Sequence, residues 1–281
     1  MNFPLLKNKK KPMGGIQSDE ILGGPAAHAM SLVDHLIELR KRLIVGFIAF
    51  GVACLCVYPF SQEIFAFLVR PLTHLLGAGR PMIYTGLAEA FVTYLKVTLF
   101  GGLIVSSPVI LGQIWLFIAP ALYTKERQNF ILFLIATPIL FLLGAVLAYG
   151  VVCPMAWKFF LSFEGIHSQS GVRVHLEARM SEYLSLMMKL ILAFGLSFQL
   201  PVVLLLLARV GVLTPSVLKA RRKYAFLGIV IGSAIVTPPD FLSPLGLIVP
   251  LYSLYELSIF LMRLSDKKIK GNAGLPEIFQ K

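Results

Sequence analysis

The polar side chains that could do chemistry in this chain lie inside long apolar segments. Glu256 falls within the apolar segment 243–262, and Gln199 falls within the apolar segment 184–208. A carboxylate in hydrocarbon is costly and marks a functional site, unless it is protonated or hydrogen-bonded as a packing residue. A glutamine there more often joins helices through a hydrogen bond. Both residues lie at similar depth in their segments, so we expect them to line one cavity.

Two further carboxylates lie beside cations at the ends of apolar segments. Glu38 precedes Arg42 by four residues, a spacing that places both on one face of a helix. Glu126 stands between Lys125 and Arg127. Judged from these residues alone, each group is a solvated charge cluster, and the Glu38 carboxylate is expected to pair with the Arg42 guanidinium.

The sequence contains none of the short motifs that mark common catalytic, nucleotide-binding or metal sites. G-x-x-x-x-G-K-[ST], H-E-x-x-H and G-x-S-x-G are all absent. The five histidines share no metal-ligand spacing, and Cys54, Cys56 and Cys153 form no C-x-x-C pair. We therefore expect a protein that is not an enzyme and that holds no metal or cofactor.

The elements that must position these side chains are helices in a membrane. Of the 281 residues, 57% are hydrophobic and the mean hydropathy is +0.80. Several apolar runs reach the ~18 residues that indicate a membrane-spanning helix. We predict an all-α fold whose membrane domain covers 31–265, between a disordered basic extension at 1–30 and a polar tail at 266–281. Its six predicted transmembrane helices are 43–60, 91–118, 130–154, 184–208, 224–237 and 243–262.

The distribution of lysine and arginine predicts the direction of the spans. Lys41 and the arginines on either side of it directly precede the first span, and such clusters stay in the cytoplasm. With the N-terminus inside, 19 of the 26 Lys and Arg residues fall in cytoplasmic segments, and we expect both termini there. Membrane topology thus explains the net charge of +12 better than nucleic-acid binding does. The predicted cytoplasmic segments are 1–42, 119–129, 209–223 and 263–281.

Prolines interrupt the predicted spans, and the last two spans are short. Span 224–237 corresponds to about 21 Å of helix, against a hydrocarbon core of about 30 Å. A span this short must thin the bilayer or lean on protein, so we expect it to dock the helix of a partner. Bent helices are expected at the prolines inside the spans, which are Pro108, Pro138, Pro201, Pro244 and Pro250.

Four separate motifs resemble the TatC family, whose members are six-span receptor subunits of the twin-arginine protein translocase. The resemblance covers about residues 31–265 in order. The motifs are HLIELRKRL at 35–43, SPVI at 107–110, FIAPALY at 117–123 with Glu126 and Arg127 after it, and TPPD at 237–240.

The resemblance implies a function in protein export across the bacterial inner membrane. Members of the family recognise signal peptides that bear paired arginines on folded precursor proteins. The resemblance further implies single-span partner subunits, TatA and TatB, and self-association in a larger complex within the membrane lipid. Transport would be driven by the proton-motive force without nucleotide, which agrees with the absence of a nucleotide-binding motif.

Motif positions assign expected roles to individual residues. Glu38 and Glu126 match the two carboxylates that bind the arginine pair in the family. Phe117, Leu122 and Tyr123 match the hydrophobic neighbourhood of that site.

Other matched positions, and some departures, concern the membrane domain. Pro71, Pro108 and Asp240 match positions that are sensitive in the family. Gln199 stands where the family usually has an intramembrane glutamate, and Pro244 replaces an expected polar side chain near the partner-docking surface.

Two other classes of protein are compatible with parts of the sequence. A secondary transporter for a small solute would suit bent helices and buried polar groups, but no inverted repeat between halves is evident. An intramembrane hydrolase would need a nucleophile and base, and no such pair is recognised. Binding of a twin-arginine signal peptide separates the translocase receptor from both.

The charge distribution makes a prediction about membrane topology. In a chain whose native cysteines are replaced by alanine, Lys125→Cys should react with a membrane-impermeant maleimide only after the cells are opened, because the loop 119–129 is cytoplasmic. Ready labelling of this cysteine in intact cells would invert the topology.

Overall fold

The computed structural model describes residues 32–77, 80–118, 127–167, 172–209, 212–237 and 242–272. Most of these residues are helical, as the apolar segments predict. The helices are α1 (Leu32–Val57), α2 (Ser61–Leu76), α3 (Glu89–Ile118), α4 (Arg127–Leu147), α5 (Cys153–Leu161), α6 (Met180–Ser197), α7 (Leu200–Arg209), α8 (Pro215–Ala220), α9 (Arg222–Val236) and α10 (Leu242–Asn272). A 3₁₀ turn, Tyr58–Phe60, joins α1 to α2, and a π-helical turn, Ala148–Val152, joins α4 to α5.

A small antiparallel hairpin qualifies the all-α prediction. Strand β1 (Gly165–His167) pairs with strand β2 (Val172–Val174), so that Gly165 lies opposite Val174. Strands of three residues are too short to show an alternating pattern, which is why the sequence did not reveal them. The hairpin lies in the predicted outer segment between the third and fourth spans, and the membrane-spanning part remains helical.

Five helical segments of the described chain are long and apolar enough to cross a membrane, where the sequence predicts six spans. The predicted span that is missing from the five is the fifth, which corresponds to α9, whose 15 residues fall short of a full crossing. The final helix is not short, because α10 has 31 residues and continues through the polar end of its span. The five segments are Val33–Leu76, Glu89–Ile118, Phe133–Leu161, Met180–Ala208 and Pro244–Leu264.

The core of the fold surrounds α6. Leu184, Leu190 and Phe194 of this helix are fully buried among the other helices. The outer helices instead expose large apolar side chains, such as Phe47 on α1 and Ile235 on α9, which are 72% and 79% exposed. Exposed apolar side chains on this scale indicate a surface that faces lipid.

Two glycines allow helices to approach each other closely. A Cβ atom at Gly102 of α3 would lie 3.1 Å from the backbone Cα of Cys54 on α1. A Cβ atom at Gly144 of α4 would lie 2.6 Å from the carbonyl oxygen of Phe194 on α6. Small residues at such crossings let backbones meet in membranes, where helix packing replaces the hydrophobic effect. These crossings fix α1 on α3 and α4 on α6.

Proline marks the interruption of the fourth predicted span. Helix α6 ends at Ser197 and α7 begins at Leu200, one residue before Pro201. Proline removes a backbone donor and clashes with the preceding turn, so a new helix begins more easily than the old one continues. Gln199 lies at this junction. Prolines also lie inside helices without ending them, as Pro71 does in α2, Pro108 in α3, Pro138 in α4 and Pro250 in α10.

Hydrogen bonds join the two outer segments of the chain. The backbone of Ile83 pairs with the segment around Arg179, accepting from Met180 N at 2.9 Å and donating to Ala178 O at 3.1 Å. Glu89 accepts from Ser181 Oγ at 2.6 Å. The segments before α3 and α6 therefore form one connected outer cap.

An ion cluster lies at the edge of this outer cap. Arg80 donates two hydrogen bonds to the Glu164 carboxylate at 2.7 and 2.8 Å, and His175 Nδ1 lies 2.9 Å from Glu164 Oε1. The hydrogen bonds from Arg80 and then from His175 hold the pKa of Glu164 below its ordinary value. The cluster ties the loop after α2 to the loop after α5.

Candidate functional site

Arg42 joins α1 to α3 at the end of the fold that the sequence predicts to lie in the cytoplasm. Its Nη2 donates to Glu38 Oε1 at 2.7 Å, and its Nη1 donates to Gln113 Oε1 at 3.2 Å. The predicted pairing of Glu38 with Arg42 is thus confirmed, whereas Gln113 is a partner that sequence spacing did not reveal. The Glu38 side chain is 20% exposed. This arrangement holds a carboxylate at the boundary of the first span.

The second oxygen of the Glu38 carboxylate lacks a partner. Glu38 Oε2 is buried and accepts no hydrogen bond from the residues that the structure describes. A buried carboxylate oxygen without a donor is costly, so it is a ready acceptor for a cation brought by a ligand. The site can therefore accept one further charged donor while Arg42 keeps the other oxygen.

An aromatic stack closes this end of the site. The rings of His35 on α1 and Phe117 on α3 lie 4.2 Å apart between centroids, with an angle of 23° between their planes. The stack places the last turn of α3 beside the turn that carries Glu38. Phe117 is thus close to Glu38, as its motif position implies. Leu122, Tyr123 and Glu126 lie outside the described residues.

A groove leads from this site along α1 and α3. Its cavity of about 360 Å³ has Arg42 and Gln113 at one end, and we call it the α1/α3 groove. Apolar side chains form nearly all of its remaining walls, including Leu39, Leu43, Phe47, Phe50, Ile110 and Ile114. A polar mouth and an apolar interior suit a ligand with one charged end.

Glu256 forms an ion pair that links α10 to α9. Its Oε2 accepts from Arg222 Nη2 at 2.6 Å, with the two side chains 33% and 44% exposed. Close by, Tyr255 Oη donates to the carbonyl oxygen of Leu218 at 2.8 Å, which attaches α10 to α8. The ion pair indicates that Glu256 holds α10 against α9, while the hydrogen bond of Tyr255 holds α10 against α8. The sequence could have suggested Arg222 as the partner of Glu256, because Arg222 lies at the predicted inner end of the fifth span.

Gln199 is buried against α4, away from Glu256. Its Nε2 donates to the carbonyl oxygen of Thr137 at 3.0 Å, while its Oε1 has no partner in the described part of the chain. A cavity of about 310 Å³ beside Gln199 includes Leu251 of α10 in its wall but not Glu256. The structure gives the two side chains different partners, Thr137 on α4 for Gln199 and Arg222 on α9 for Glu256, and the expectation that they share one cavity stays a prediction.

The remaining predicted positions do not converge on this site. Pro71 lies in α2, on the predicted outer side. Pro108 lies inside α3, more than two helical turns before Phe117. Asp240 lies outside the described residues. In the part of the chain that the structure describes, no group of three or more His, Cys, Asp or Glu side chains could hold a metal ion.

The long apolar helices, the lipid-facing surface and the acidic group at one membrane boundary define a multi-pass membrane protein. Residues 34–250 match the family model described as Sec-independent protein translocase protein (TatC). The chain therefore belongs to the TatC family, a family of protein translocase components, and the resemblance of its motifs is confirmed.

Individual relatives support this assignment over most of the chain. The TatC protein of Magnetococcus marinus is 46% identical over 237 residues, which are 84% of this chain and 85% of the relative. That of Escherichia coli is 40% identical over 232 residues, which are 83% and 88% of the two chains. A crystal structure of the twin-arginine translocase receptor TatC in DDM matches with a TM-score of 0.70 and 37% identity, covering 81% of this chain and 99% of that one.

The hydrogen bond of Gln199 predicts how a glutamate would behave there. Gln199→Glu can donate to the Thr137 carbonyl only while protonated, so its stability should fall below that of the wild type as pH rises from about 6 to about 9, because an ionised carboxylate in hydrocarbon is costly. Gln199→Leu is the control, with a loss of about 0.6 kcal/mol that does not change with pH. Thermal unfolding in detergent measures both. A Gln199→Glu deficit that is independent of pH would contradict the prediction.

Proposed function

We propose that this protein is the signal-peptide receptor and core subunit of a twin-arginine translocase in the bacterial inner membrane. It would bind the paired arginines of signal peptides on folded precursor proteins and export them by the proton-motive force. The observation that carries the proposal is the Glu38 carboxylate, whose Oε1 is held by Arg42 and whose buried Oε2 accepts no hydrogen bond from the described residues. Glu126, in the adjoining loop, would take the second arginine.

Arginine suits this site better than lysine does. Its planar guanidinium can give two hydrogen bonds to a carboxylate, whereas the lysine ammonium acts as a compact point charge. A fully exposed ion pair contributes only about 0–1 kcal/mol. Because the Glu38 side chain is mostly shielded, with Phe117 close by, a charge-assisted hydrogen bond there can contribute roughly 1.5–3 kcal/mol. Competition from Arg42 keeps the affinity modest, as release of a transported precursor requires.

We further propose six spans with both termini in the cytoplasm. The distribution of cations supports this topology, with α9 as the short fifth span. Bending at the prolines within the helices would give the spans their concave surfaces. The sequence contains no nucleotide-binding motif, which is consistent with transport driven by the proton-motive force.

Helix α9 is the proposed docking site for the single helices of TatA and TatB. Ile231 and Ile235 are exposed, and Cβ atoms at Gly228 and Gly232 would meet no atom within 4 Å. A G-x-x-x-G spacing lets another helix approach the backbone closely. A cavity of about 440 Å³ between α7, α9 and α10 borders these glycines. A partner helix would cover both the exposed face and the short span.

Crosslinking tests the docking of TatA and TatB. In a chain without native cysteines, cysteines at Ile231 and Ile235 should form disulfides with cysteines in the TatA or TatB helix, because both positions are exposed on α9. A cysteine at Val52, which is exposed on α1, is the matched control. Disulfides confined to α1 would argue against docking on α9.

Substitution of the two carboxylates tests the reading of the arginine pair. Glu38→Gln with Glu126→Gln should reduce the preference for an Arg-Arg over a Lys-Lys signal peptide by more than about tenfold, since each 1.4 kcal/mol is a factor of ten. Glu63→Gln, at an exposed glutamate on α2, is the control and should leave the preference unchanged. Titration of labelled peptides against the purified complex measures it. An unchanged preference in a folded double variant would show that the arginines are read elsewhere.

A further inference from the structure

We propose that the surface turn between α8 and α9 binds the headgroup of an anionic phospholipid through Lys219, Arg221 and Lys223, a surface that we call the basic turn. The inference goes beyond the proposed function, because it concerns the lipid around the protein rather than the precursor or the partner subunits. It depends on the proposed topology only for the leaflet, which would be the cytoplasmic one.

Three of the four cations in this turn have no acidic partner in the described part of the chain. Lys219, Arg221, Arg222 and Lys223 fall within five residues, and all four are exposed. Arg222 is committed to Glu256, whose Oε2 accepts from Arg222 Nη2 at 2.6 Å. None of the other three forms an ion pair with a described carboxylate. The structure thus leaves three positive charges for a ligand, a distinction that the sequence does not show.

The backbone of the basic turn is fixed against the helix bundle. Leu218 is buried, and its carbonyl oxygen accepts from Tyr255 Oη of α10 at 2.8 Å. The same carbonyl accepts from Arg221 N at 3.2 Å. Since four residues of even fully extended chain span at most about 14 Å, Lys219 and Lys223 cannot lie far apart. The three charges therefore stay together at one place on the surface.

Apolar side chains beside the basic turn favour a lipid over a soluble acidic partner. Val212 and Val217 are exposed before the turn, and Tyr224 and Phe226 are exposed after it. Cations beside exposed apolar side chains, next to a membrane span, are typical of a segment that lies in the headgroup region. A soluble anion would gain only the charges, whereas a phospholipid would also cover the apolar side chains.

The shortness of α9 gives such a lipid a structural consequence. This helix has 15 residues, or about 22 Å at 1.5 Å per residue, against a hydrocarbon core of about 30 Å. A helix of this length cannot reach both interfaces unless the bilayer adjusts. Phosphates bound at the basic turn would keep the first residues of α9 at headgroup depth, so the mismatch would fall at the other end of the helix.

The experiment titrates the delipidated full chain in detergent with phosphatidylglycerol, or with phosphatidylcholine, and measures bound lipid by native mass spectrometry. The wild type should prefer phosphatidylglycerol, because its headgroup has a net negative charge. Joint replacement by Lys219→Gln, Arg221→Gln and Lys223→Gln should weaken phosphatidylglycerol by about tenfold or more, since each cation at an anionic surface contributes about fivefold. Phosphatidylcholine should bind to this variant as it binds to the wild type.

Two control variants separate the basic turn from charge in general. Arg222→Gln with Glu256→Gln removes the ion pair without changing the net charge, and phosphatidylglycerol should bind as it does to the wild type. Arg70→Gln, Lys96→Gln and Lys158→Gln together remove three exposed cations from the predicted outer side. That variant should also bind phosphatidylglycerol with an affinity close to that of the wild type. Thermal unfolding in detergent establishes that each variant is folded.

Several outcomes would overturn the inference. Equal phosphatidylglycerol binding by the wild type and the basic-turn variant would do so, and so would an equal loss in the outer-side variant, which would mean that net charge alone decides. Displacement of the lipid by an equal concentration of glycerol phosphate would indicate a site for a free phosphate, and displacement by a polyglutamate peptide would indicate an acidic protein partner. Failure of the proposed function appears separately, as an Arg-Arg preference that survives substitution of Glu38 and Glu126.

Salt gives a second readout that needs no substitution. Exposed charges are screened over about 10 Å at 0.1 M salt and over about 3 Å at 1 M. The preference of the wild type for spin-labelled phosphatidylglycerol over spin-labelled phosphatidylcholine, measured by electron paramagnetic resonance in nanodiscs, should therefore fall strongly between these concentrations. A preference that is unchanged at 1 M salt would overturn the inference, because the three cations are exposed.

Discussion

A bilayer offers no hydrogen-bond partner to a polar group, and this constraint decides where the polar side chains of the protein lie. Several hydroxyl groups inside the spans donate to their own helix, as Thr98 does to the carbonyl of Tyr94 and Ser258 to that of Leu254. Larger polar groups must reach another helix. Gln199 reaches α4, and Glu256 reaches the start of α9. Each such bond is also a tie between helices, so the need to satisfy polar groups organises the bundle.

The same constraint makes a buried polar atom without a hydrogen-bond partner informative. At this end of α1, Arg42 donates hydrogen bonds to both Glu38 and Gln113. Against that background, the buried Glu38 Oε2 without a partner among the described residues stands out as a place for a ligand's donor. The α1/α3 groove beside this oxygen is apolar along its length.

The predicted outer end of the protein is tied together by hydrogen bonds, whereas α9 is exposed along much of its length. Backbone pairing of Ile83 with the segment before α6, the bonds of Glu89 to Ser181, and the Arg80–Glu164 pair connect the outer loops into one cap. Close crossings at Gly102 and Gly144 then hold the helices below it. By contrast, α9 has large exposed apolar side chains and is tied at its inner end by Arg222. A cap held by hydrogen bonds is therefore joined to a helix whose exposed apolar face can pack against lipid or another helix.

The sequence by itself determined the elements and the family. Long apolar runs identified the long helices, the shortness of α9 was readable from its length, and the Glu38–Arg42 pair followed from a spacing of four, because such features are local to one helix. Four motifs sufficed for the TatC family. Tertiary structure alone decided the partners that are far apart in the chain, namely Gln113 for Arg42, Thr137 for Gln199 and Arg222 for Glu256. It likewise gave Gln199 and Glu256 partners on different helices, because equal depth in a membrane does not determine which neighbouring helix a side chain faces.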